Sequence, residues 1–171
     1  MDNLHNDMMI KYTVDLPYPE ISPTMDLRTA RMLLNDFAGQ DSELTGINQY
    51  IYQHLVTGEH EELSEVLKGI ALVEMKHFEM LGEAIVNLGG DPVFTSSRGR
   101  PWTALYLKYI KNPKMIIMMN IQGEKAGIKG YRQSIEMTNN MQVKKLLERI
   151  ILDEELHIQN LEKMLVKFDH M

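Results

Sequence analysis

Glu43, Glu74, His77, Glu124, Glu154 and His157 recur along the chain at one offset. Glu43 and Glu124 stand alone, 124 − 43 = 81 residues apart. Glu74-Met75-Lys76-His77 and Glu154-Glu155-Leu156-His157 both read Glu-x-x-His, 154 − 74 = 80 residues apart. The chain therefore reads as two copies of one unit. Carboxylates and imidazoles together are ligands for divalent metal ions, and an oxygen-rich set with one imidazole per ion suits iron or manganese. A Glu and a His three positions apart lie about 60° apart on a helix, close enough to hold one ion. Two such units build a site for two ions inside a four-helix bundle.

Four long helical patterns are available to carry them. The spacing predicts a first helix from about Met25 to Val56, loosened at Gly39, and a second from about Glu61 to Leu88. Gly89-Gly90-Asp91-Pro92 stops the second. A third starts at Asn112-Pro113, where proline suits the first turn, and ends near Thr138; the fourth continues to about Phe168. A short helix is expected near Trp102–Ile110 in the connection between the second and third. Short first and third connections make two antiparallel hairpins, and the long middle one crosses between them. The expected fold class is all-α, a four-helix bundle of residues 25–171. Residues 1–24 form an arm in which Pro17, Pro19 and Pro23 exclude a helix.

The ligand candidates sit within apolar stripes. Glu154 and His157 interrupt Leu147, Ile150, Ile151, Ile158, Leu161, Met164, Leu165 and Phe168. Glu74 and His77 interrupt Leu63, Val66, Leu67, Ile70, Leu81, Ile85 and Leu88. Glu124 falls in phase with Ile117, Ile121, Ile128 and Tyr131, and Glu43 with Phe37, Ile47, Tyr50 and Ile51. Four buried carboxylates repel one another and lose hydration, and the stripes supply no lysine or arginine to neutralise them. Two divalent cations would balance the four charges.

Neighbours of these residues repeat too. Tyr50 and Tyr131 each lie seven residues after a lone glutamate, on nearly the same face. They fit a hydrogen bond to a ligand carboxylate, an electron donor, or a core aromatic with a satisfied hydroxyl. Gly46 and Gly127 lie three after the lone glutamates. They fit either room for a small ligand or close helix packing. Asp153 precedes Glu154 and can orient a ligand histidine, whereas its counterpart is Val73. His54 reads as a satisfied core or rim histidine; His5, His60 and His170 have no ligand pattern.

Composition narrows the chemistry. The 171 residues suit one domain, and there is no cysteine, which excludes disulfides, thiolate ligands and iron–sulfur clusters. A net charge of −6 offers no basic face for nucleic acid. No apolar run reaches the roughly 20 residues of a membrane helix, and the first 23 residues lack a signal-peptide pattern. A cytoplasmic protein is expected.

From about Tyr18 the chain resembles the ferritin-like superfamily. Gly39-Gln40-Asp41-Ser42-Glu43-Leu44, Gly99-Arg100-Pro101-Trp102-Thr103-Ala104-Leu105-Tyr106, Asn112-Pro113 and Gly123-Glu124-Lys125-Ala126 with Tyr131 are similar to small, spore-coat-type manganese catalases. That resemblance implies two manganese ions on the four glutamates and two histidines, with hydrogen peroxide as substrate and a spore association. Glu43-Leu44-Thr45-Gly46-Ile47-Asn48-Gln49-Tyr50, Glu74-Met75-Lys76-His77 and Asp153-Glu154-Glu155-Leu156-His157 are similar to bacterioferritin. That second resemblance implies iron, dioxygen and an external electron donor, with Met75 at the haem-ligand position. With 171 − 157 = 14 residues after His157, neither a cage-forming fifth helix nor haem is expected. Rubrerythrins resemble the bundle as well, but their extra carboxylate position is Gly127 here and their rubredoxin-like cysteines are missing. The expected activities are peroxide disproportionation, iron oxidation or peroxide reduction, with a structural metal-binding protein as the non-enzymatic alternative. A homo-oligomer is expected, and apolar residues of the arm such as Val14, Leu16, Tyr18 and Ile21 are available to wrap the bundle or a partner subunit. Which two glutamates bridge the ions, Glu74 with Glu124 or Glu74 with Glu154, stays open.

Overall fold

The computed structural model describes residues 8–169; His5, His170 and the first seven residues of the expected arm lie outside the described residues. Among the described residues five long α-helices carry the fold: α1 Leu27–Ala38, α2 Glu43–Val56, α3 Glu61–Asn87, α4 Pro113–Met137 and α5 Met141–Asp169. Among the described residues there is no strand beyond an isolated bridge between Thr95 and Pro101. The helices α1 and α2 run end to end as one arm of the bundle against α3, and α4 pairs with α5.

The first long helix of the sequence reading is two helices. Gly39 is extended, at φ −78° and ψ −166°, and its N–H closes α1 on Asn35 O. Ser42 then caps α2: its Oγ accepts from the Thr45 N–H at 3.4 Å and donates to Gly39 O at 2.8 Å. A side chain at position 39 would sit 2.4 Å from Asn35 O, so glycine is needed where α1 gives way to α2. The new start places Glu43 in the first turn of α2, where a carboxylate is favoured.

Other ends follow the sequence closely. Asn112 accepts from the Met115 N–H at 3.0 Å, with Pro113 behind it. Asn140 caps α5 through the Gln142 and Val143 N–H groups at 3.0 and 3.2 Å. Gly89, at φ +84°, ends α3, and the Gly90 N–H returns to Ile85 O at 2.8 Å. The short helix expected over Trp102–Ile110 is a single 3₁₀ turn, Ala104–Tyr106. Its flanks are held from α2 instead: the Gln49 side chain bonds both the N–H and C=O of Lys108, and Trp102 Nε1 donates to Thr45 Oγ1 at 2.9 Å. Ahead of the prolines, residues 8–10 form a helical turn that the reading of the arm as irregular did not include.

Two apolar clusters fill the bundle. One gathers Leu33, Phe37, Leu81, Ile85, Leu88, Leu147 and Ile150; the other gathers Leu63, Leu67, Ile70, Ile116, Ile117 and Leu161. Each such side chain contributes roughly 1.5–3 kcal/mol on burial. Between Ile70 and Leu81 on α3, and between Ile151 and Leu161 on α5, the buried residues include Glu74, His77, Glu154 and His157. A polar layer thus divides the core. Ile51, read as part of the α2 stripe, is 37% exposed and faces away from that layer.

Candidate metal centre

All six ligand candidates are buried: Glu43 3%, Glu74 4%, His77 0%, Glu124 7%, Glu154 2% and His157 0% exposed. Their donor atoms fall into two overlapping groups. Glu43, Glu74, His77 and Glu154 offer donor atoms within 4.8 Å of one another, and so do Glu74, Glu124, Glu154 and His157. Glu74 and Glu154 belong to both.

The imidazoles present one nitrogen inward and the other outward. His77 Nδ1 lies 3.2 Å from Glu154 Oε1 and 3.8 Å from Glu43 Oε1, while its Nε2 lies 3.1 Å from Asp153 Oδ2. His157 Nδ1 lies 3.0 Å from Glu154 Oε2 and 3.3 Å from Glu74 Oε1, and its Nε2 meets Tyr12 O at 3.1 Å. An acceptor outside each ring holds the proton on Nε2 and leaves the Nδ1 lone pair for the cluster.

The tyrosines cross between hairpins. Tyr50 on α2 donates to Glu124 on α4, and Tyr131 on α4 donates to Glu43 on α2. Burial, reinforced by Glu124, pushes the Tyr50 phenol well up, so it stays protonated as a donor. Burial and the charges of Glu74 and Glu154 push the Glu43 carboxyl well up. Burial pulls the His77 imidazolium down, but Asp153 and Glu154 more than offset it, leaving it at about 9. His157 is raised well above its usual value, because Glu124, Glu154 and Glu74 outweigh burial. Without cations, then, the cluster competes for protons.

The donor set fits two divalent ions. Glu43 Oε2, Glu74 Oε1 and His77 Nδ1 are buried without a hydrogen-bond partner, a costly state for lone polar atoms. Each belongs to a residue of the two groups. Arg149, which lies outside the apolar stripes, is also buried, at 5% exposure. Its guanidinium pairs with Asp153 Oδ1 at 2.8 Å, however, and so balances Asp153 rather than the four glutamates.

Residues 39–171 match the ferritin-like domain family. The chain belongs to that family. A bacterioferritin of Desulfovibrio desulfuricans is 32% identical, the match covering 71% of this chain and 67% of the relative. A manganese catalase of Bacillus subtilis is 24% identical over 87% of this chain and 67% of its own length. Among solved structures, KatB, a manganese catalase from Anabaena, superposes with a TM-score of 0.83 at 26% identity, covering 90% of this chain and 77% of that one. The Desulfovibrio desulfuricans bacterioferritin superposes with a TM-score of 0.68 at 27% identity, covering 84% and 81%.

In this ferritin-like bundle a cavity of about 320 Å³ reaches the carboxylates from Tyr106 and Lys108 of the connection. Gly46, Gly123 and Gly127 line it. The two repeat-related glycines differ: a Cβ at Gly46 would lie 2.8 Å from Glu74 Oε2, whereas one at Gly127 would meet nothing within 4 Å. Gly46 therefore makes room for the Glu74 carboxylate, and Gly127 leaves open space. His54 lies 2.8 Å from Ser64 Oγ, a satisfied rim histidine. Met75 is 42% exposed on the outside of α3.

Sequence reasoning allowed Val14 and Tyr18 of the N-terminal arm to wrap the bundle, but missed their hydrogen bonds at the centre. Val14 N–H donates to Asp153 Oδ1 at 2.7 Å, and the Tyr18 hydroxyl donates to Asp153 Oδ2. Burial alone would raise the Asp153 carboxyl, but His77, Tyr18 and Arg149 hold it below the usual carboxylate range. The signal for these contacts was the break in the repeat at Val73, which leaves the outer nitrogen of His157 without a carboxylate partner.

Proposed function

We propose that this chain is an oxidoreductase with a dinuclear metal centre that disproportionates hydrogen peroxide, with manganese as the working metal. Glu43 and His77 would hold one ion and Glu124 and His157 the other, with Glu74 and Glu154 available to both. The observation that carries this reading is the pair of four-residue groups sharing Glu74 and Glu154. The closer overlap with a manganese catalase than with a bacterioferritin, 0.83 against 0.68, supports the choice of reaction. So does the absence of cysteine: in disproportionation one peroxide gives up two electrons and two protons, the second accepts them, and no electron-transfer partner is required.

When bound, the two ions would supply a redox pair that cycles between oxidation states and polarises peroxide. The protein's share is positioning. Tyr50 and Tyr131 fix the lone carboxylates, Asp153 fixes the His77 tautomer, and the glycine-lined cavity admits a small oxidant while apolar clusters on either side exclude bulk water. As for location, no helix of the described residues is long and apolar enough to cross a membrane; the reading places the protein in the cytoplasm.

The 32% identity to a bacterioferritin favours a second reading, a di-iron ferroxidase supplied by an outside electron donor. An oxygen electrode separates the two. Sustained oxygen release from peroxide by the manganese-loaded protein is expected. Dioxygen consumption only with ferrous iron, and none released by the manganese form, would transfer the assignment to the second reading.

A further inference from the structure

The two histidines are held from outside by one stretch of chain. Tyr12 O accepts from His157 Nε2 at 3.1 Å. Two residues on, the Val14 N–H bonds Asp153, and the Tyr18 hydroxyl bonds the Asp153 oxygen that faces His77. Arg149, buried beside Asp153, donates to Val14 O at 2.6 Å and to Leu16 O at 3.0 Å. Its guanidinium also lies over the Tyr18 ring, 4.2 Å from the centroid.

The bundle is shaped to receive this stretch. Gly69 lies inside α3, where glycine costs roughly 1 kcal/mol relative to alanine. A Cβ there would stand 2.1 Å from Tyr12 Cε2. The missing side chain is the seat of the Tyr12 ring, which is 8% exposed. The repeat explains why the seat exists. His77 has Asp153 across the bundle, but the position equivalent to Asp153 is Val73, which offers no acceptor to His157. The Tyr12 carbonyl fills that role.

We propose that residues 12–18 are a positioning strap for the metal centre, so that seating of the strap and binding of metal favour each other. The proposal rests on the dinuclear reading above. Positioning residues outside the ligands commonly tune metal affinity 10–100-fold, and coupling between two binding events is reciprocal.

Cobalt(II), titrated into metal-free protein and followed by its visible ligand-field bands, provides the test. Wild type should take two ions. Gly69→Ala unseats Tyr12 yet improves the helix propensity of α3, so a general loss of stability is not its expected effect. One of the two binding steps, that of the His157 half, should weaken roughly 10-fold or more while the other holds. Adding Tyr12→Ala to Gly69→Ala removes the clash and should recover part of the loss. In parallel, trypsin cleavage after exposed Lys11 should slow roughly 5-fold or more on saturating wild type with cobalt. Equal affinities in wild type and Gly69→Ala, or a loss that Tyr12→Ala does not relieve, would overturn the strap. Wild type that takes up no cobalt would instead overturn the dinuclear reading beneath it.

Discussion

Four carboxylates within one water-poor layer are stable only when something positive joins them, and Glu43 registers the conflict through its raised proton affinity. The sign of a Glu74 substitution should therefore depend on metal. Glu74→Gln removes one charge from the repelling set, so the metal-free variant should melt above metal-free wild type; a gain of 1 kcal/mol corresponds to about 2–4 °C. With manganese present the same variant should melt below wild type, and differential scanning calorimetry of both forms checks the reversal. Asp36 is a further buried carboxyl, away from the ligand candidates. Burial pushes it up from 3.8 to about 7, against the lowering effect of the Ser134 hydrogen bond. The folded form holds this proton more tightly than the unfolded chain, so its contribution is present below pH 4 and is lost as pH rises through about 7. Stability should fall by up to about 1.4 kcal/mol per pH unit across that window. The difference between wild type and Asp36→Asn in urea midpoints, at matched metal loading, isolates the slope; a pH-independent difference contradicts it. At this scale the sequence was most readable, because Glu-x-x-His at a repeated offset survives without coordinates. Arg149 was not readable: its partners are Asp153 and carbonyls 133 and 135 residues away.

Helix phase did the placing. The stripes on α3 and α5 carried Glu74, His77, Glu154 and His157 inward as the 3.6-residue period requires. The break between α1 and α2 was legible only as a soft spot, since Gly39 alone does not reveal that Ser42 restarts the helix. The arm was legible as proline-rich, but not as a source of hydrogen bonds, because backbone carbonyls leave no mark in a sequence. The two glycines of the repeat make a paired prediction. Gly46→Ala should lower metal content, because its methyl would press on Glu74, 2.8 Å away. Gly127→Ala faces open space and should keep both ions while gaining up to about 1 kcal/mol of helix stability. Metal analysis and melting temperature together decide it; equal metal loss in both variants would contradict the different roles given to the two positions.

The molecule as a whole exposes more large apolar surface than its core explains. Leu105 is 86% exposed, Leu55 72%, Tyr109 62%, Met115 55% and Met118 50%. Such side chains favour contact with another protein surface, and a second copy of the chain is the simplest source. Light scattering should give a mass that is a multiple of 19.8 kDa, and a monomer at micromolar concentration would contradict this. The single-crossover bundle was legible from connection lengths alone. The number of copies was not, since exposed apolar residues on a helix read from sequence as additional core. In the proposed centre one pair of carboxylates, Glu74 and Glu154, would serve two ions. The most direct test is the metal content of purified wild type, Glu43→Ala and Glu74→Ala after identical manganese loading. Two ions are expected per wild-type chain, one with Glu43→Ala, and almost none with Glu74→Ala. Metal content unchanged by Glu74→Ala would contradict it.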